Sequence, residues 1–411
     1  MQNPIGKRAK RVYYGAVFKI KKEIPVKMKA RLILFLCCLV STLLVVEASL
    51  RLAFPESYYI WPPHLRWLFR PDPTNMPGIS GESRFEINSI GLRGDELTPS
   101  HTYRILAIGG STTECLYLDQ LKAWPYLLQT ALNDGTYSGK VWVGNAGMSG
   151  RTTRHHLVAI QYLPIEKMRI DTIVLLIGIN DFQEYLAASH LPPKSAEQLL
   201  DETFRGGLRH SKPDAAFFRR TAIWRLLRSV KTGLLQKANR YKVHDKSGNV
   251  SWENGDQPLF PYKTWREHRR RASEIRTELP DITPGLKDYA DNINRLITIA
   301  NQKSVRLIFM TQPTMWRSDL PDDLKALLWF GGIGNFQNEI GTPYYSVEAL
   351  ANGMKQYNDV LLTICRQRGI ECIDLSYLPK DTTVFYDDVH FNESGALKIS
   401  RVIASQIRRQ Y

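Results

Sequence analysis

The sequence predicts an α/β protein whose core is a doubly wound, five-stranded parallel sheet, with an N-terminal transmembrane helix and a helical insertion. Three observations support this fold class. From residue 103 onward, short apolar segments alternate with amphipathic ones, which is the pattern of parallel strands joined by helices. An apolar run at Leu32–Val46 precedes them, and the alternation stops between about residues 182 and 284.

The predicted boundaries divide the 411 residues into four parts. These are a basic arm (1–31), a transmembrane anchor (32–54), a pre-sheet segment (55–102) and an α/β domain (103–411, with the insertion at about 182–284). The pre-sheet segment is rich in proline, arginine and aromatic residues and has little periodicity. Within it, Ile90-Gly-Leu-Arg-Gly-Asp95 predicts a packed entry loop before the core.

The apolar run Leu32–Val46 predicts a membrane-spanning helix. Alone it reaches roughly 22 Å, short of a ~30 Å hydrocarbon core. The helical pattern continues beyond it, because Glu47 and Arg51 are spaced to pair on one helical face, and Leu32–Phe54 reaches about 35 Å. The basic arm carries ten basic residues and one acidic residue, or +9 of the total charge of +15. The positive-inside rule therefore predicts a cytoplasmic N-terminus and an extracytoplasmic domain.

A cleaved signal peptide is the alternative, because Val46-Glu-Ala48 fits a small-residue cleavage site. A basic leader of about thirty residues is long for a signal peptide, which favours a retained anchor. Both interpretations place the bulk of the chain outside the cytoplasmic membrane. No zinc-finger spacing or aromatic RNA-binding signature accompanies the positive charge, so we expect a membrane beside the arm and no nucleic-acid partner.

Two of the five cysteines are spaced for a disulfide. Cys365 and Cys372 bracket a turn from a helix end into a strand, and in an oxidising compartment they can pair. Cys37 and Cys38 fall in the membrane run, and Cys115 is expected as a small apolar residue.

The alternation after residue 103 predicts five strands and the helices between them. The strands are Tyr103–Ile108, Val141–Gly144, Thr172–Ile177, Val305–Met310 and Glu371–Leu375. The helices are Thr112–Leu132 (mostly helical), Thr152–Leu163, Leu286–Asn301, Val347–Arg368 and Ser394–Arg409. In doubly wound sheets sites form at the carboxyl ends of the strands, so the residues that follow strands are the first functional candidates.

The insertion carries basic helical stretches at Ala215–Lys237 and Trp265–Leu279, separated by the polar loop Asp245–Gln257. Loops of this length are as a rule functional or disordered. Two interpretations stay open: the insertion is a lid or glycan-facing surface beside the site, or it covers an edge of the sheet.

A serine stands where the first predicted strand ends. Residues Ile105–Cys115 read Ile-Leu-Ala-Ile-Gly-Gly-Ser-Thr-Thr-Glu-Cys, which predicts a buried strand, a tight turn and the start of a helix. The turn exposes the hydroxyl of Ser111 at a helix N-terminus, where it can act as a nucleophile.

A base and its orienting carboxylate are found just before the last predicted helix, in Asp387-Asp-Val-His390. The spacing of three lets the carboxylate of Asp387 hold Nδ1 of the imidazole while Nε2 faces the serine. Asp388 is a second candidate for the orienting role.

Three hydrogen-bond donors are candidates for an oxyanion hole. They are the N–H of Ser111, the N–H of Gly147 in Asn145-Ala-Gly147, and the side-chain amide of Asn180 in Gly178-Ile-Asn180-Asp181. Singly, such segments are ordinary turns or helix caps. Their conjunction, each after a strand or before the last helix, predicts acyl-transfer chemistry.

The four segments together resemble the SGNH, or GDSL-type, hydrolases. Ile108–Ser111 resembles the first block of that family, Asn145–Gly147 the second, Gly178–Asp181 the third (Gly-x-Asn-Asp) and Asp387–His390 the last (Asp-x-x-His). The resemblance covers about residues 103–411 without the insertion. Gly110 stands where the commonest form of the first block has aspartate, which leaves the orientation of the serine turn open.

The resemblance implies a flavodoxin-like fold and a set of roles. The catalytic residues would be Ser111 as nucleophile, His390 as base and Asp387 as its orienter. The oxyanion hole would consist of the Ser111 N–H, the Gly147 N–H and Asn180. Asp387 fits the family spacing better than Asp388 does.

We therefore expect a membrane-anchored serine esterase that cleaves a carboxylic ester through an acyl-enzyme. Its location suggests O-acyl groups on envelope or exported glycans, or lipid esters, as substrates. An O-acyltransferase on the same scaffold and a non-catalytic envelope glycan-binding protein are the alternatives, and a binding protein would keep its affinity with Ser111→Ala. No Walker A, Gly-x-Ser-x-Gly or His-Glu-x-x-His motif is present, and we expect no cofactor and no metal.

Overall fold

A computed structural model of the protein describes residues 26–53, 58–135, 140–187, 194–205 and 259–408, and also residues 218, 221–224, 226–227 and 230. The chain forms two compact units, Met1–Pro55 and Glu56–Tyr411.

The described part of the first unit is the helix α1 (Val26–Ala53), whose described side chains are exposed except for the half-buried Glu47 and Leu50. Its segment Lys27–Ala53 has a mean hydropathy of 2.4 and is long and apolar enough to cross a membrane. The predicted pair is present, since Arg51 Nε lies 2.7 Å from Glu47 Oε1. A signal sequence shares these properties, so the helix alone does not separate the two interpretations.

The second unit begins with a hairpin that the sequence did not predict. Strands β1 (Arg66–Phe69) and β2 (Ser83–Glu86) pair antiparallel within the pre-sheet segment. Each has only four residues, and both carry charged side chains, so they lack the apolar run by which a buried strand is recognised.

The remaining strands are β3 (Tyr103–Gly109), β4 (Val141–Asn145), β5 (Thr172–Leu176), β6 (Ile275–Arg276), β7 (Arg306–Met310), β8 (Tyr344–Tyr345) and β9 (Glu371–Ile373). Five of them form the parallel sheet in the order β4-β3-β5-β7-β9. The fold-class prediction is thus confirmed, and the strand order is the flavodoxin-like one. The order reverses beside β3, which places the carboxyl end of β3 at the switch point where such sheets bind ligands.

The helices of this unit are α2 (Ser111–Glu114), α3 (Trp124–Leu132), α4 (Thr153–Tyr162), α5 (Ile165–Met168), α6 (Ile179–Ala187), α7 (Ala196–Thr203), α8 (Tyr262–Arg270), α9 (Thr283–Gln302), α10 (Asp322–Lys325), α11 (Val347–Arg368) and α12 (Glu393–Arg408). Helix α3 packs against α12, while α9 packs against α4 and α11. The central strands β3 and β5 are consequently buried on both faces.

The stretch Thr112–Leu132, predicted to be mostly helical, is divided into two α-helices and a 3-10 turn. Helix α2 stops at Cys115, whose φ of 52° is left-handed, and a 3-10 turn at Gln120–Lys122 precedes α3. The guanidinium of Arg93 donates hydrogen bonds to the carbonyls that this break leaves free. The cause is therefore a tertiary contact that local periodicity cannot reveal.

The insertion is only partly described. Within the predicted helical stretch 215–237, residues 218, 221–224, 226–227 and 230 are described, and 222–224, 226–227 and 230 are helical, whereas the loop 245–257 lies outside the described residues. The predicted helix Trp265–Leu279 differs from the structure at both ends. Helix α8 begins three residues earlier, at Tyr262, and ends at Arg270, after which β6 (Ile275–Arg276) pairs with β8. That pairing is secured by backbone hydrogen bonds from Tyr344 to Glu274 and from Ser346 to Arg276.

Cys365 and Cys372 are joined by a disulfide, with a Cα–Cα distance of 6.1 Å. The bond links the last turn of α11 to β9. The pairing that the sequence left open is thus present in the structure.

Candidate active site

The serine turn follows the carboxyl end of β3, at the switch point of the sheet. Ser111 is the first residue of α2, and Gly109 and Gly110 precede it. A Cβ on Gly110 would overlap the side-chain amide of Asn180. The absence of a side chain at this position, where the common block has aspartate, therefore lets Asn180 approach the turn.

Three predicted residues form one continuous hydrogen-bonded chain. Ser111 Oγ lies 2.7 Å from His390 Nε2, and His390 Nδ1 lies 2.8 Å from Asp387 Oδ2. Asp387 is fully buried, and its Oδ1 also accepts the backbone N–H groups of Val389 and His390 at 3.0 and 2.9 Å. These backbone contacts fix the carboxylate against the imidazole. These hydrogen bonds can thus carry a proton from the serine hydroxyl to the imidazole ring.

The electrostatics of this pair favour a charged imidazole. Burial by itself raises the pKa of Asp387, but the charge of His390 and its hydrogen bonds keep that pKa below its ordinary value. Burial likewise lowers the pKa of His390, but the charge and hydrogen bond of Asp387 outweigh it and raise that pKa above its ordinary value. The site therefore stabilises the imidazolium that forms when the ring takes a proton.

Asp388 has a different set of partners. Its carboxylate accepts the indole N–H of Trp316 at 2.8 Å and the backbone N–H groups of Trp329 and Phe330 at 2.7 and 3.3 Å. Burial, together with the negative charge of Asp387, raises the pKa of Asp388. Of the two candidate orienters, Asp387 contacts His390, whereas Asp388 fixes the loops that follow β7.

Two aromatic side chains flank the imidazole, and sequence reasoning missed both. The ring of Tyr386 is nearly parallel to that of His390, at 10° and 5.4 Å between centroids, and the ring of Trp329 lies at 7° and 6.5 Å. Trp329 also donates its indole N–H to Asp387 Oδ2 at 3.0 Å. Tyr386 directly precedes Asp387, and this adjacency is the one sequence signal that could have indicated its place beside the imidazole. Nothing in the sequence around Trp329 points to the site.

The predicted oxyanion donors meet at the serine turn. Asn180 Nδ2 donates to the Arg151 carbonyl at 2.9 Å, and its amide carries a second hydrogen. A Cβ on Gly147 would overlap the backbone at Glu114, so only glycine allows this close approach. The Gly147 N–H donates to Asn145 Oδ1 at 2.8 Å, whereas within the described ranges no acceptor is hydrogen-bonded to the Ser111 N–H.

A buried arginine from the pre-sheet segment holds the backbone behind the serine. The Arg93 guanidinium donates to the carbonyls of Glu114, Cys115 and Leu118 at 2.6, 2.7 and 2.7 Å. Burial lowers its pKa to about 10, so it stays charged at neutral pH. The sequence offered one signal, since Arg93 lies in the loop 90–95 that was expected to pack.

A buried glutamate ties the serine helix to the loop after β4. Glu114 Oε2 accepts the backbone N–H of Ser149 at 2.7 Å and also the hydroxyl of that serine. Asn145 Nδ2 donates to the Thr113 carbonyl at 2.8 Å. These bonds hold the second predicted block against the first. Burial raises the pKa of Glu114.

The insertion contributes to the wall behind His390. Tyr262 of α8 is buried, with its ring 6.5 Å from the imidazole and 6.0 Å from the ring of Tyr386. Arg266 of the same helix donates to the Leu327 carbonyl at 2.9 Å. Among the described residues, no group of three or more His, Cys, Asp or Glu side chains is arranged to hold a metal ion.

Comparison with known proteins gives one extensive match. A sequence model of the GDSL-like lipase/acylhydrolase family matches residues 107–397, a span that contains all four predicted blocks. No curated protein sequence matches the chain.

Solved structures resemble the chain only distantly. An acetylxylan esterase from Geobacillus stearothermophilus has 13% identity and a TM-score of 0.38, with 75% of this chain and 95% of the esterase covered. An α/β hydrolase enzyme from the metagenome of Lake Arreo, Spain, has 11% identity and a TM-score of 0.38, with 75% and 97% covered. At these scores neither similarity indicates a substrate for this chain.

Proposed function

Because the chain belongs to the GDSL-like lipase/acylhydrolase family and is a hydrolase acting on ester bonds, we propose that it is a serine esterase in which Ser111 forms an acyl-enzyme. The observation that carries this proposal is the unbroken chain of hydrogen bonds from Ser111 through His390 to Asp387. A hydroxyl 2.7 Å from an imidazole nitrogen is within the range that proton transfer requires.

The proposed reaction has two halves. Ser111 Oγ attacks the ester carbonyl carbon and passes its proton to His390 Nε2. The tetrahedral intermediate then expels the alcohol, which takes that proton, and the acyl group stays on Ser111. Water attacks the acyl-enzyme and gives a proton to His390, and collapse returns the proton to Ser111 Oγ and releases the carboxylic acid.

The oxyanion of each intermediate needs donors beside Ser111. We propose the second amide hydrogen of Asn180 and the Ser111 N–H as the first two donors. The Gly147 N–H is the third, and it would exchange or share its bond to Asn145 Oδ1 as negative charge develops. Support comes from Gly110 and Gly147, since each lacks the Cβ that would push these donors away from the turn.

The proposed substrates are O-acyl groups of envelope or exported glycans. The apolar helix α1 and the basic arm before it support an anchored protein with its N-terminus in the cytoplasm and the esterase unit outside. An enzyme in that position meets polymers that never enter the cytoplasm. Lipid esters are the other substrate class available there.

Ser111 is expected to react with a membrane-impermeant fluorophosphonate on cells that produce the 411-residue chain and whose cytoplasmic membrane is intact but any outer membrane has been removed. The reagent loses fluoride to the attacking Oγ and leaves a stable phosphonyl-serine. Mass spectrometry of the isolated protein will find the adduct on the peptide containing Ser111. Ser111→Ala will not be labelled, whereas Ser405→Ala, an exposed serine on α12, will be labelled like the parent.

The possible results separate the two parts of the proposal. Labelling that appears only after lysis would overturn the extracytoplasmic location but keep the nucleophile. A folded parent protein that is unlabelled even after lysis, or a labelled Ser111→Ala variant, would overturn the nucleophile.

The dependence of activity on pH follows from the raised pKa of His390. The base must be neutral to accept the serine proton, and its raised pKa means that it already becomes protonated above pH 6.5. We therefore expect kcat/KM for an uncharged ester to fall as the pH is lowered, with a midpoint above 6.5. A profile that stays flat down to about pH 5 would contradict His390 as the base.

A further inference from the structure

The space on one side of Ser111 is very small. Ser111 and His390 line a small, partly open cavity of about 10 Å³, whose other walls are Thr112, Cys115, Tyr117, Leu118, Tyr386 and Phe391. That volume is at the lower limit of what holds a single water molecule. A methyl group is the largest carbon substituent that this space can receive without displacing its walls.

The walls of this cavity are fixed by their own packing. The six other wall side chains are all buried. The Tyr117 hydroxyl oxygen accepts the backbone N–H of Phe260 at 2.8 Å, and its ring meets that of Phe69 edge-on at 5.3 Å. Tyr386 is stacked on His390. Widening the cavity would therefore disturb close-packed aromatic side chains, which is costly.

The space beside Asn180 is much larger and has a different lining. A groove of about 320 Å³ is bordered by four carboxamide side chains, one aromatic ring and two charged side chains, among others: Asn180, Gln183, Asn335, Gln337, Phe336, Glu184 and Lys194. Carboxamide side chains both donate and accept hydrogen bonds, which suits a ligand with many hydroxyl groups. Gln183 and Gln337 are each partly exposed, so their amides can reach a ligand in the groove.

From this asymmetry, and resting on the esterase function proposed above, we propose that the enzyme is selective for acetyl esters of a polyhydroxyl alcohol. The acetyl methyl group occupies the small cavity, and the sugar-sized alcohol lies in the groove beside Asn180. The reverse placement fails, because a glycan does not fit a space of about 10 Å³. Hydrolysis consumes one water and yields acetate and the free sugar hydroxyl.

The test compares p-nitrophenyl acetate, butyrate and octanoate with the full-length protein in detergent, with Ser111→Ala as the background. The expected kcat/KM is about 100-fold lower for butyrate than for acetate, since misfit of even one methylene costs about 10- to 200-fold. Equal or better turnover of butyrate or octanoate would overturn the acetyl selectivity. Absence of Ser111-dependent release from every ester would instead overturn the proposed function.

A matched pair of variants links the selectivity to the cavity. Leu118→Ala removes a wall side chain but keeps the carbonyl that accepts Arg93, and we expect it to raise the butyrate-to-acetate ratio about 10-fold. Leu121→Ala is the control, because Leu121 is 48% exposed and lies outside the cavity. An unchanged ratio in folded Leu118→Ala would overturn the assignment of the cavity. The chain-length series on the parent protein remains decisive if the variant does not fold.

The alcohol side is tested with 6-O-acetylglucose, an acetyl ester whose sugar keeps free hydroxyl groups. Gln337→Ala is expected to raise KM for this ester about 5-fold, the effect of one lost hydrogen bond, whereas Leu121→Ala, at an exposed residue outside the groove, leaves KM unchanged. An unchanged KM in folded Gln337→Ala would overturn the assignment of the groove to the alcohol.

Discussion

Asp387→Asn will lower kcat/KM for p-nitrophenyl acetate by about 10⁴-fold, the loss that the same substitution causes in Ser-His-Asp triads. The Asp387 carboxylate accepts the Nδ1–H of His390 at 2.8 Å and two backbone N–H groups at 3.0 and 2.9 Å. Asparagine has one acceptor oxygen in place of two. The imidazole then loses both its orienting partner and the charge that stabilises its protonated form.

Asp388→Asn is the matched control, because it makes the same chemical change one residue away and at the same burial. The Asp388 carboxylate accepts three hydrogen bonds, from N–H groups of Trp316, Trp329 and Phe330. The NH₂ group of asparagine at this position would therefore face at least one of these N–H donors. That mismatch costs about 1–3 kcal/mol of folding free energy. We expect a lower Tm and less than about a 10-fold loss of kcat/KM. A larger activity loss from Asp388→Asn than from Asp387→Asn, at unchanged Tm, would reverse the two roles.

Asn180→Ala will lower kcat by about 10²–10³-fold, the usual result of removing one oxyanion donor. Gly110→Ala is expected to cause a comparable loss, because its Cβ would overlap the Asn180 amide. The mechanism is displacement of the donor from the serine turn, without any change to the hydroxyl, the imidazole or the carboxylate. Single-turnover kinetics with p-nitrophenyl acetate will measure the acylation step directly.

A double-mutant cycle shows whether Gly110 acts through Asn180. Once the amide is gone, the new methyl group has nothing to displace, so Gly110→Ala/Asn180→Ala should lose no more activity than Asn180→Ala alone. Fully additive losses would mean that Gly110 supports the turn in another way. Thermal unfolding of all four proteins shows whether any loss reflects misfolding.

The five strands of the parallel sheet were predictable because each contains a short apolar run, and helix α11 was found at its predicted bounds, Val347–Arg368. The hairpin β1–β2 was missed because its short strands carry charged side chains. The break after Glu114 was missed because it depends on a left-handed Cys115 and on Arg93. Both failures concern structure that tertiary contacts create.

The predicted site residues lie together because each follows a strand or precedes the last helix of a sheet with known topology. The distinct partners of Asp387 and Asp388 could not be predicted, since adjacent carboxylates look alike in sequence. Trp329 could not be predicted either, because it reaches Asp387 from a loop without periodicity. The sequence left open what glycine at position 110 does to the serine turn. The structure gives a physical reason for it, because a Cβ there would overlap the Asn180 amide.

The buried Arg93 also determines where the protein can be truncated at its N-terminal side. A fragment that begins at residue 103, where the sheet starts, or at 107, where the family match starts, would lack this guanidinium. The carbonyls of Glu114, Cys115 and Leu118 would then be left without their donor, directly behind the serine. The shortest fragment that keeps the backbone behind the serine hydrogen-bonded is therefore longer than the sheet. It includes Arg93, which lies between the apolar helix and the first core strand.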